Sequence, residues 1–320
     1  MPSTGSLAGV SVSGAVVTLS LNEGAGAADT TVGSFRVSYT VPGSGGVVDA
    51  AGNGAASFSS VTPTDKAAPG LTALQMLDTD QDGKVNRVTG TFSENLAGST
   101  ATAPWTLANV PSGGSLSTVS TSGNTATLNL TQGAGTADTS VGSFTVALAT
   151  SATGIRDSSG NQSSFVAQAP ADKAAPVPTD ITDSDTSSAG NGKFEQNDSF
   201  TITFSENITG VAATSTVVLT DKAGSSSNDG VTMSNLLSGT ASLGASNYIS
   251  GSSATFGASA LSQPAANQIR LTLAGCSSGS CASVTQATAA GNFTITPVTT
   301  ITDGAANPAA GSLTVSIRLF

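Results

Sequence analysis

The strongest constraint on the fold is that the chain repeats itself. Residues 22–41 read NEGAGAADTTVGSFRVSYTV, and residues 131–150 read TQGAGTADTSVGSFTVALAT. The stretches 49–69 and 157–176 also match, since both open with Asp-x-x-Gly-Asn and close with Asp-Lys-Ala-Ala-Pro. Repetition at a fixed spacing marks a chain that is built from copies of one structural unit. The sequence therefore predicts an array of related units.

The repeats divide the chain into three units. Unit 1 (residues 1–69) is only the back half of a repeat, because it lacks the acidic opening and the Phe-Ser-Glu-Asn strand of the others. Unit 2 (70–176) is complete, and unit 3 (177–320) carries an insertion at about 211–260 and a loop with both cysteines. Two alternatives stay open for unit 1: it was cut from a longer array, or a strand from elsewhere completes it. A half-sandwich with open edges is prone to pair with another chain.

Within each unit, apolar residues alternate with polar ones, as in Phe200, Ile202 and Phe204. A period of two is typical of half-buried antiparallel strands, and the Gly, Asn and Asp clusters between such runs predict hairpin turns. We therefore predict an all-β protein made of tandem Greek-key β-sandwiches. Pro69 and Pro176 restrict the backbone of the Asp-Lys-Ala-Ala-Pro junctions, which favours stiff connections and an extended array.

Composition excludes several classes of function. Charged residues make up 9% of the chain, the net charge is −10 and histidine is absent. The missing histidine removes Ser–His and Cys–His catalytic pairs and most zinc and haem sites. An acidic chain is poorly suited to nucleic acid, and no apolar run approaches the roughly 20 residues of a membrane helix. The first residues lack the basic region of a signal peptide. We expect a protein that is not an enzyme and has no membrane span.

The densest acidic stretch resembles the first half of a calcium loop. Asp78, Asp80 and Asp82 alternate with other residues, and Gly83 follows them. This spacing lets successive carboxylates converge on one ion while the glycine makes the turn. An EF-hand would need a bidentate carboxylate where Thr89 stands, and the segment leads into a strand. The stretch is therefore not an EF-hand, and any closing ligand must come from elsewhere.

Acidic residues near the junctions are candidates for that closing role. In unit 2 they are Asp65, which precedes the unit, and Glu94 in the Phe-Ser-Glu-Asn strand. Unit 3 repeats the arrangement loosely, with the candidate ligands Asp172, Asp183, Asp185, Asn191, Glu195 and Glu206. We predict one or more Ca²⁺ ions near each junction, where they would neutralise clustered carboxylates and stiffen the hinge. The alternative is that these residues are solvated turn residues, since Asp and Asn favour turns.

Other aspartates are expected in turns. Asp49, Asp157 and Asp303 open Asp-x-x-Gly-Asn turns or a variant of them, and the favoured interpretation is that each carboxylate caps backbone amides. Calcium ligation is the second interpretation. Asp29 and Asp138 lie in the repeated Gly-Ala-Gly loops and are also interpreted as turn residues.

Cys276 and Cys281 are the two cysteines of the chain. Their close spacing in a chain otherwise free of cysteine suits a small loop disulfide and an oxidising compartment. Two free thiols are the alternative. A metal site is not expected here, because no further Cys or His completes a tetrahedral set.

Taken together, the motifs resemble a known family. Asp-x-Asp-x-Asp-Gly before a Thr-Phe-Ser-Glu strand, a later Asp-x-x-Gly-Asn and a closing Asp-Lys-Ala-Ala-Pro are similar to the bacterial Ig-like tandem repeats of secreted adhesins and surface-layer proteins. The resemblance implies Ig-like sandwiches, export, tandem stringing and calcium at or near junctions. It carries over best to Asp78, Asp80, Asp82 and Glu94. Unit 1, without its front half, has no complete site to compare.

Two functions from different classes fit these features. The favoured one is a non-enzymatic extracellular structural or adhesive protein, such as a stalk, adhesin segment, surface-layer or filament subunit. It would associate with itself into a fibre or lattice, or bind a cell-surface or glycan ligand. The alternative is an ancillary carbohydrate-binding module of a secreted enzyme. Trp105 and Tyr248 would be its sugar-stacking candidates, although single aromatics in a sandwich are more often core residues.

Overall fold

The computed structural model describes residues 1–185, 191–222, 228–245 and 247–320. The prediction of an all-β protein is confirmed: the described residues form strands and turns. Their helical segments are three short 3₁₀ turns, at Pro2–Thr4, Pro111–Gly113 and Cys281–Ser283. Alternating apolar residues produce this result, because a period of two places one face of each strand in a core and the other toward solvent.

Unit 1 forms two short antiparallel pairs. Its strands are β1 (Ser6–Ser13), β2 (Val16–Asn22), β3 (Val37–Tyr39) and β4 (Phe58–Val61). β1 pairs with β2, and β3 pairs with β4. Throughout residues 1–69, all of which the structure describes, Pro69 is the one buried residue. Unit 1 therefore has two layers of strand but no closed core.

Unit 2 has two sheets around one core. Its strands are β5 (Leu71–Leu77), β6 (Arg87–Phe92), β7 (Trp105–Ala108), β8 (Ser115–Ser122), β9 (Thr125–Thr131), β10 (Thr145–Leu148), β11 (Phe165–Gln168) and β12 (Ala171–Asp172). One sheet has the order β12-β5-β6-β9-β8, and the other has the order β11-β10-β7. Val88 and Leu128 of the first sheet and Val146 and Leu148 of the second belong to one buried cluster. The two sheets thus pack face to face.

Unit 3 is larger and has its own core. Its strands are β13 (Pro178–Ser184), β14 (Ser199–Phe204), β15 (Thr214–Thr220), β16 (Gly230–Met233), β17 (Thr240–Ser242), β18 (Ser253–Ser262), β19 (Gln268–Thr272), β20 (Cys276–Gly279), β21 (Gly291–Ile295) and β22 (Leu313–Ile317). The main sheet runs β13-β14-β19-β18-β15-β16-β17, with β20 also on β18, and β21 pairs with β22. The residues of the predicted insertion supply β15, β16, β17 and most of β18. They extend the sheet.

Unit 1 and the back half of unit 2 share local geometry. β1 (SLAGVSVS) corresponds to β8 (SLSTVSTS), and each follows a 3₁₀ turn that contains a serine with positive φ, 50° at Ser3 and 56° at Ser112. A Cβ on Gly24 would lie 2.1 Å from the Ser3 carbonyl oxygen, and one on Gly133 would lie 2.1 Å from the Ser112 carbonyl oxygen. Only glycine fits at this crossing, which explains why both loops carry it.

Candidate metal centres at the unit junctions

Three carboxylates meet where unit 1 joins unit 2. Asp65, Glu94 and Asp157 each bring one oxygen to within 4.8 Å of the others, and we call them the first junction cluster. Glu94 is 7% exposed and Asp157 is 2% exposed, whereas Asp65 is half-buried. Oxygens of three carboxylates at this separation can hold a metal ion.

The same arrangement recurs where unit 2 joins unit 3. Asp172, Glu206 and Asp303 bring carboxylate oxygens to within 4.8 Å of one another and form the second junction cluster. Glu206 is 8% exposed and Asp303 is 3% exposed. Each residue occupies the same place in its repeat as its counterpart in the first junction cluster. The two junction clusters are therefore equivalent sites in successive repeats.

The linker supplies the first carboxylate of each cluster through a tight turn. Asp65 Oδ1 accepts a hydrogen bond from the Ala67 amide at 3.0 Å, and Asp172 Oδ1 accepts one from the Ala174 amide at 3.1 Å. An aspartate that bonds the backbone two residues later is the usual Asx turn. The turn therefore fixes the position of each aspartate side chain at the junction.

The glutamate of each cluster is held by the unit before it. At the second junction, Thr139 of the unit 2 loop donates to Glu206 Oε1 at 2.6 Å and bonds Ser205 Oγ at 2.6 Å. Ser205 Oγ in turn accepts the Val177 amide at 3.0 Å. These buried contacts join the loop of unit 2, the linker and the β14 end of unit 3. They fix the position of Glu206 relative to both units.

The first junction repeats these contacts. Thr30 of unit 1 donates to Glu94 Oε1 at 2.5 Å and bonds Ser93 Oγ at 2.7 Å, and Ser93 Oγ accepts the Gly70 amide at 2.8 Å. The Gly-Ala-Gly loops therefore form turns and also hydrogen-bond to the next unit through their threonines. Asp29 and Asp138 precede these threonines and accept hydrogen bonds from Thr31 and Ser140 two residues later.

The third carboxylate lies in the Asp-x-x-Gly-Asn turn, or in its variant at residue 303. Asp303 Oδ1 accepts the Ala305 and Asn307 amides at 2.8 Å, and its Oδ2 accepts Asn307 Nδ2 at 2.7 Å. Asp157 makes matching bonds to Asn161. The prediction that these aspartates cap turns is confirmed. The structure also brings them into the junction clusters, so the two interpretations do not exclude each other.

In the second junction cluster, each negative carboxylate makes ionisation of the neighbouring carboxyl groups less favourable. Burial raises the pKa of Glu206 to about 8, against the lowering effect of the Thr139 hydrogen bond, and the charges of Asp172 and Asp303 add to the rise. Burial likewise raises the pKa of Asp172 to about 6, with Asp303 contributing. The pKa of Glu94 is raised by the same cause, burial first. A bound cation would reverse this effect, because it stabilises the ionised carboxylates.

A cavity of about 410 Å³ opens onto the second junction cluster. Its wall includes Asp172, Glu206, Asn207 and Asn267, together with backbone near Gly304. The side chains contributed by these residues are oxygen-bearing and include no sulfur or imidazole. Such a donor set suits hard cations.

A third acidic group lies in the loop between β5 and β6. Asp78, Asp80 and Asp82 also bring oxygens to within 4.8 Å of one another, and we call them the hairpin-loop cluster. Asp78 accepts the Gly83 amide at 2.9 Å, which confirms that the glycine makes the turn. Burial, with the neighbouring Asp80, raises the pKa of Asp78 to about 6.

The hairpin-loop cluster lies against unit 3. Gln81 Oε1 accepts the Gly311 amide at 3.2 Å. A Cβ built on Gly83 would contact side chains of Thr179 and Ser205 at 3.4 Å. The loop of unit 2 is therefore at the second junction, on the same side of the unit as the Thr139 loop.

The expectation that Asp65 and Glu94 close the hairpin-loop cluster is wrong. Asp65 precedes β5 and Glu94 follows β6, whereas the loop joins the other ends of these two strands. Seven residues of strand at about 3.3 Å each separate the two ends by roughly 20 Å. Both residues belong instead to the first junction cluster. For the same reason Asp172 and Glu206 are grouped with Asp303 and not with the unit 3 loop.

The acidic loop that follows β13 in unit 3 is held by hydrogen bonds among its own residues. Asp185 accepts the Asn191 amide at 2.8 Å, and Asn191 donates to Glu195 at 3.2 Å. Asp183 Oδ2 accepts the Phe320 amide at 3.0 Å. Residues 186–190 of this loop lie outside the described residues. The four predicted ligands in this loop are near one another along the chain, but they are not among the three carboxylate clusters of the described residues.

The remaining candidates have structural surroundings. Cys276 and Cys281 are joined in a disulfide. Trp105 is 6% exposed and meets Phe165 edge-on at 5.8 Å, and Tyr248 is fully buried, with its hydroxyl accepting the Leu319 amide. Neither aromatic ring offers a face to a sugar. The core interpretation of both residues is therefore confirmed.

Two kinds of residue were missed as members of the junction sites. The sequence favours a turn role for Asp157 and Asp303, and it does not single out Thr30 or Thr139. The signal was present, because the turn and the Ala-Asp-Thr loop recur together with the Phe-Ser-Glu strand. Segments that are repeated together are candidates to touch one another.

Comparisons with protein-family models, with curated proteins and with solved structures found no match to this chain. Within the described ranges, none of the helical segments has the length and apolarity that crossing a membrane requires.

Proposed function

We propose that this chain is a non-enzymatic structural or adhesive segment of an extracellular array, in which Ca²⁺ at the junctions holds successive β-units in line. One observation carries the proposal: the same three carboxylates meet at both junctions, from equivalent positions of the repeat. If these acids were only solvated turn residues, we would not expect them to lie together at both junctions. Their recurrence at equivalent positions of the repeat favours a role in joining the units.

The choice of Ca²⁺ rests on the donor atoms. Each junction cluster offers carboxylate oxygens on turns and strand ends, and the chain has no histidine. Ca²⁺ accepts six to eight oxygen ligands in flexible geometry, whereas Mg²⁺ demands a near-ideal octahedron and retains its water. Backbone carbonyls and water would complete the shell. Zinc, copper and nickel favour imidazole or thiolate ligands, and neither junction cluster contains one.

The cation would stiffen each junction by joining separate segments. Of the three carboxylates at the second junction, one comes from the linker, one from the end of β14 and one from a turn more than 90 residues later. Thr139 of unit 2 bonds the same Glu206. Without the ion, repulsion between these acids opposes this contact. With the ion bound, the linker and both units are held together at the same site.

The finer fold assignment is part of this proposal. The orders β5-β6-β9-β8 and β11-β10-β7 of unit 2 correspond to A-B-E-D and G-F-C when its first seven strands are lettered in sequence. This is the strand order of a constant-type Ig sandwich. The order supports, on physical grounds, the Ig-like tandem array that the motifs suggest. A disulfide in a chain with few charges is in keeping with an oxidising, extracellular location.

The test compares shape and stability in Ca²⁺, Mg²⁺ and EGTA. We expect Ca²⁺ to raise the melting temperature and to narrow the distribution of shapes seen by small-angle scattering, with Mg²⁺ much weaker. The double variant Asp65→Asn, Asp172→Asn should lose both effects. Asp180→Asn removes an exposed acid outside the clusters and is the matched control. Equal melting and scattering in Ca²⁺ and EGTA would refute the proposal.

A further inference from the structure

Unit 1 exposes the apolar side chains that should form its core. Its two strand pairs border a groove of about 500 Å³, whose wall includes Leu7, Val10, Val17, Leu19 and Phe58. Each of these five side chains is between 39% and 56% exposed. A contiguous apolar surface of this kind marks an interaction site or an aggregation hazard.

Unit 2 reveals what is missing. Val10 is 56% exposed, but its equivalent Val119 is 3% exposed, and Leu19 is 39% exposed whereas Leu128 is fully buried. The apolar positions themselves are the same in both strands, since β1 and β8 share five of eight residues, including the Leu and Val that face the core in unit 2. The difference in exposure arises because unit 2 has the front-half strands β5, β6 and β7 and unit 1 does not.

The strand β6 gives the register of the missing partner. In unit 2, β6 runs antiparallel to β9 with Val88 opposite Leu128 and Thr89 opposite Thr127. The corresponding edge of unit 1 is β2, which pairs only with β1. Its other edge presents unpaired backbone groups that another strand can bond. Transferred to β2, the register sets the incoming valine opposite Leu19 and the next threonine opposite Thr18.

We propose that the groove of unit 1 accepts a front-half strand of the same repeat type, antiparallel to β2. Its alternate apolar residues fill the groove as Val88 and Phe92 fill unit 2. A folded second copy of this chain is not the donor, because its own front-half hairpins, β5–β6 and β13–β14, are already paired on β9 and β19. The occupant is therefore a front half that is not already paired within a complete unit.

Asp49 independently points to the same occupant. Its turn is already formed, with Oδ1 accepting the Ala51 and Asn53 amides at 2.9 and 2.8 Å. In the other two units the equivalent aspartate meets the glutamate of the Phe-Ser-Glu strand. An incoming strand in the register given above brings its glutamate to Asp49. The inference goes beyond the junction proposal and does not depend on a cation.

The first test uses hydrogen exchange on the intact chain. The probe is a synthetic peptide of residues 84–97, KVNRVTGTFSENLA. We expect at least about tenfold slower amide exchange in residues 16–22 when the peptide is in excess. A peptide of equal length with Val88→Asp and Phe92→Asp is the matched control and should give no protection. Equal protection by both peptides, or by neither, overturns the proposal.

The second test fixes the register. Thr18→Cys in the chain is combined with a peptide carrying Thr89→Cys, which should form a mapped mixed disulfide in a glutathione buffer. A peptide carrying Gly90→Cys should not, since that position points to the other face of the strand. Equal trapping of both cysteines contradicts the register. Protection of residues 16–22 in the chain alone, together with a dimer in sedimentation, would mean that a second copy covers the groove and would also overturn the proposal.

Discussion

The substitution Glu206→Gln distinguishes two roles for this carboxylate, binding a metal ion and supporting the fold without one. In the absence of a cation, Glu206 is an acid whose pKa lies near 8 instead of 4.5. A raised pKa means that the native state binds the proton more tightly, so ionisation opposes folding. At 1.36 kcal/mol per pKa unit, a shift of this size makes the folded chain about 4 kcal/mol less stable at pH 7.5 than the protonated form would be.

Glutamine cannot ionise and retains an oxygen for the Thr139 hydroxyl. We therefore expect Glu206→Gln to raise the free energy of unfolding in EGTA at pH 7.5, by up to about 4 kcal/mol. In Ca²⁺ this advantage of the variant should shrink, and it should disappear once the free ion exceeds about 1,000 times its dissociation constant, where binding contributes about 4.1 kcal/mol to the wild type. A site filled at about 100 times its dissociation constant stabilises the wild type by about 2.7 kcal/mol, and the variant loses this gain at one of its sites.

The assay is scanning calorimetry of both chains in EGTA and in Ca²⁺, at pH 7.5 and at pH 5. Asp180→Asn serves as the control for a lost negative charge, because it is exposed and outside the clusters. At pH 5 the two chains should differ little in EGTA, since Glu206 is then protonated in the native state. A variant that is less stable than wild type in EGTA at pH 7.5, or that keeps the full response to Ca²⁺, would refute the reasoning.

Three further predictions follow from the same contacts. In EGTA, the wild type should lose stability as pH rises from about 4 through 8, first as Asp172 and then as Glu206 ionises. Melting temperatures measured over this pH range test the prediction, and a melting temperature that does not change with pH would contradict it. Thr139→Val should cost about 1–3 kcal/mol in denaturant unfolding, because it removes the buried donor to Glu206, and a neutral effect would contradict that role. Leu128→Ala should cost about 2–5 kcal/mol, whereas Leu19→Ala should cost under about 1 kcal/mol, so equal losses in the same assay would show that unit 1 is closed in solution.

The sequence alone was enough for the class of fold. Alternation in runs such as Phe200, Ile202 and Phe204 requires strands, because only a period of two puts all three on one face. Turn chemistry was equally local, and the Asp-x-x-Gly-Asn turns cap themselves as expected. These features depend on residues within a few positions of each other, where spacing along the chain determines spacing in space.

The partners of each acid depended on the tertiary structure. Asp65 is close in sequence to Asp78, yet β5 carries the two to opposite ends of a hairpin. Asp172 and Asp303 are far apart in sequence, yet the return of the chain through unit 3 brings them together. The repeats determined which segments recur, but contact between distant carboxylates depends on how strands pair across sheets, and pairing is set by the packing of the whole unit.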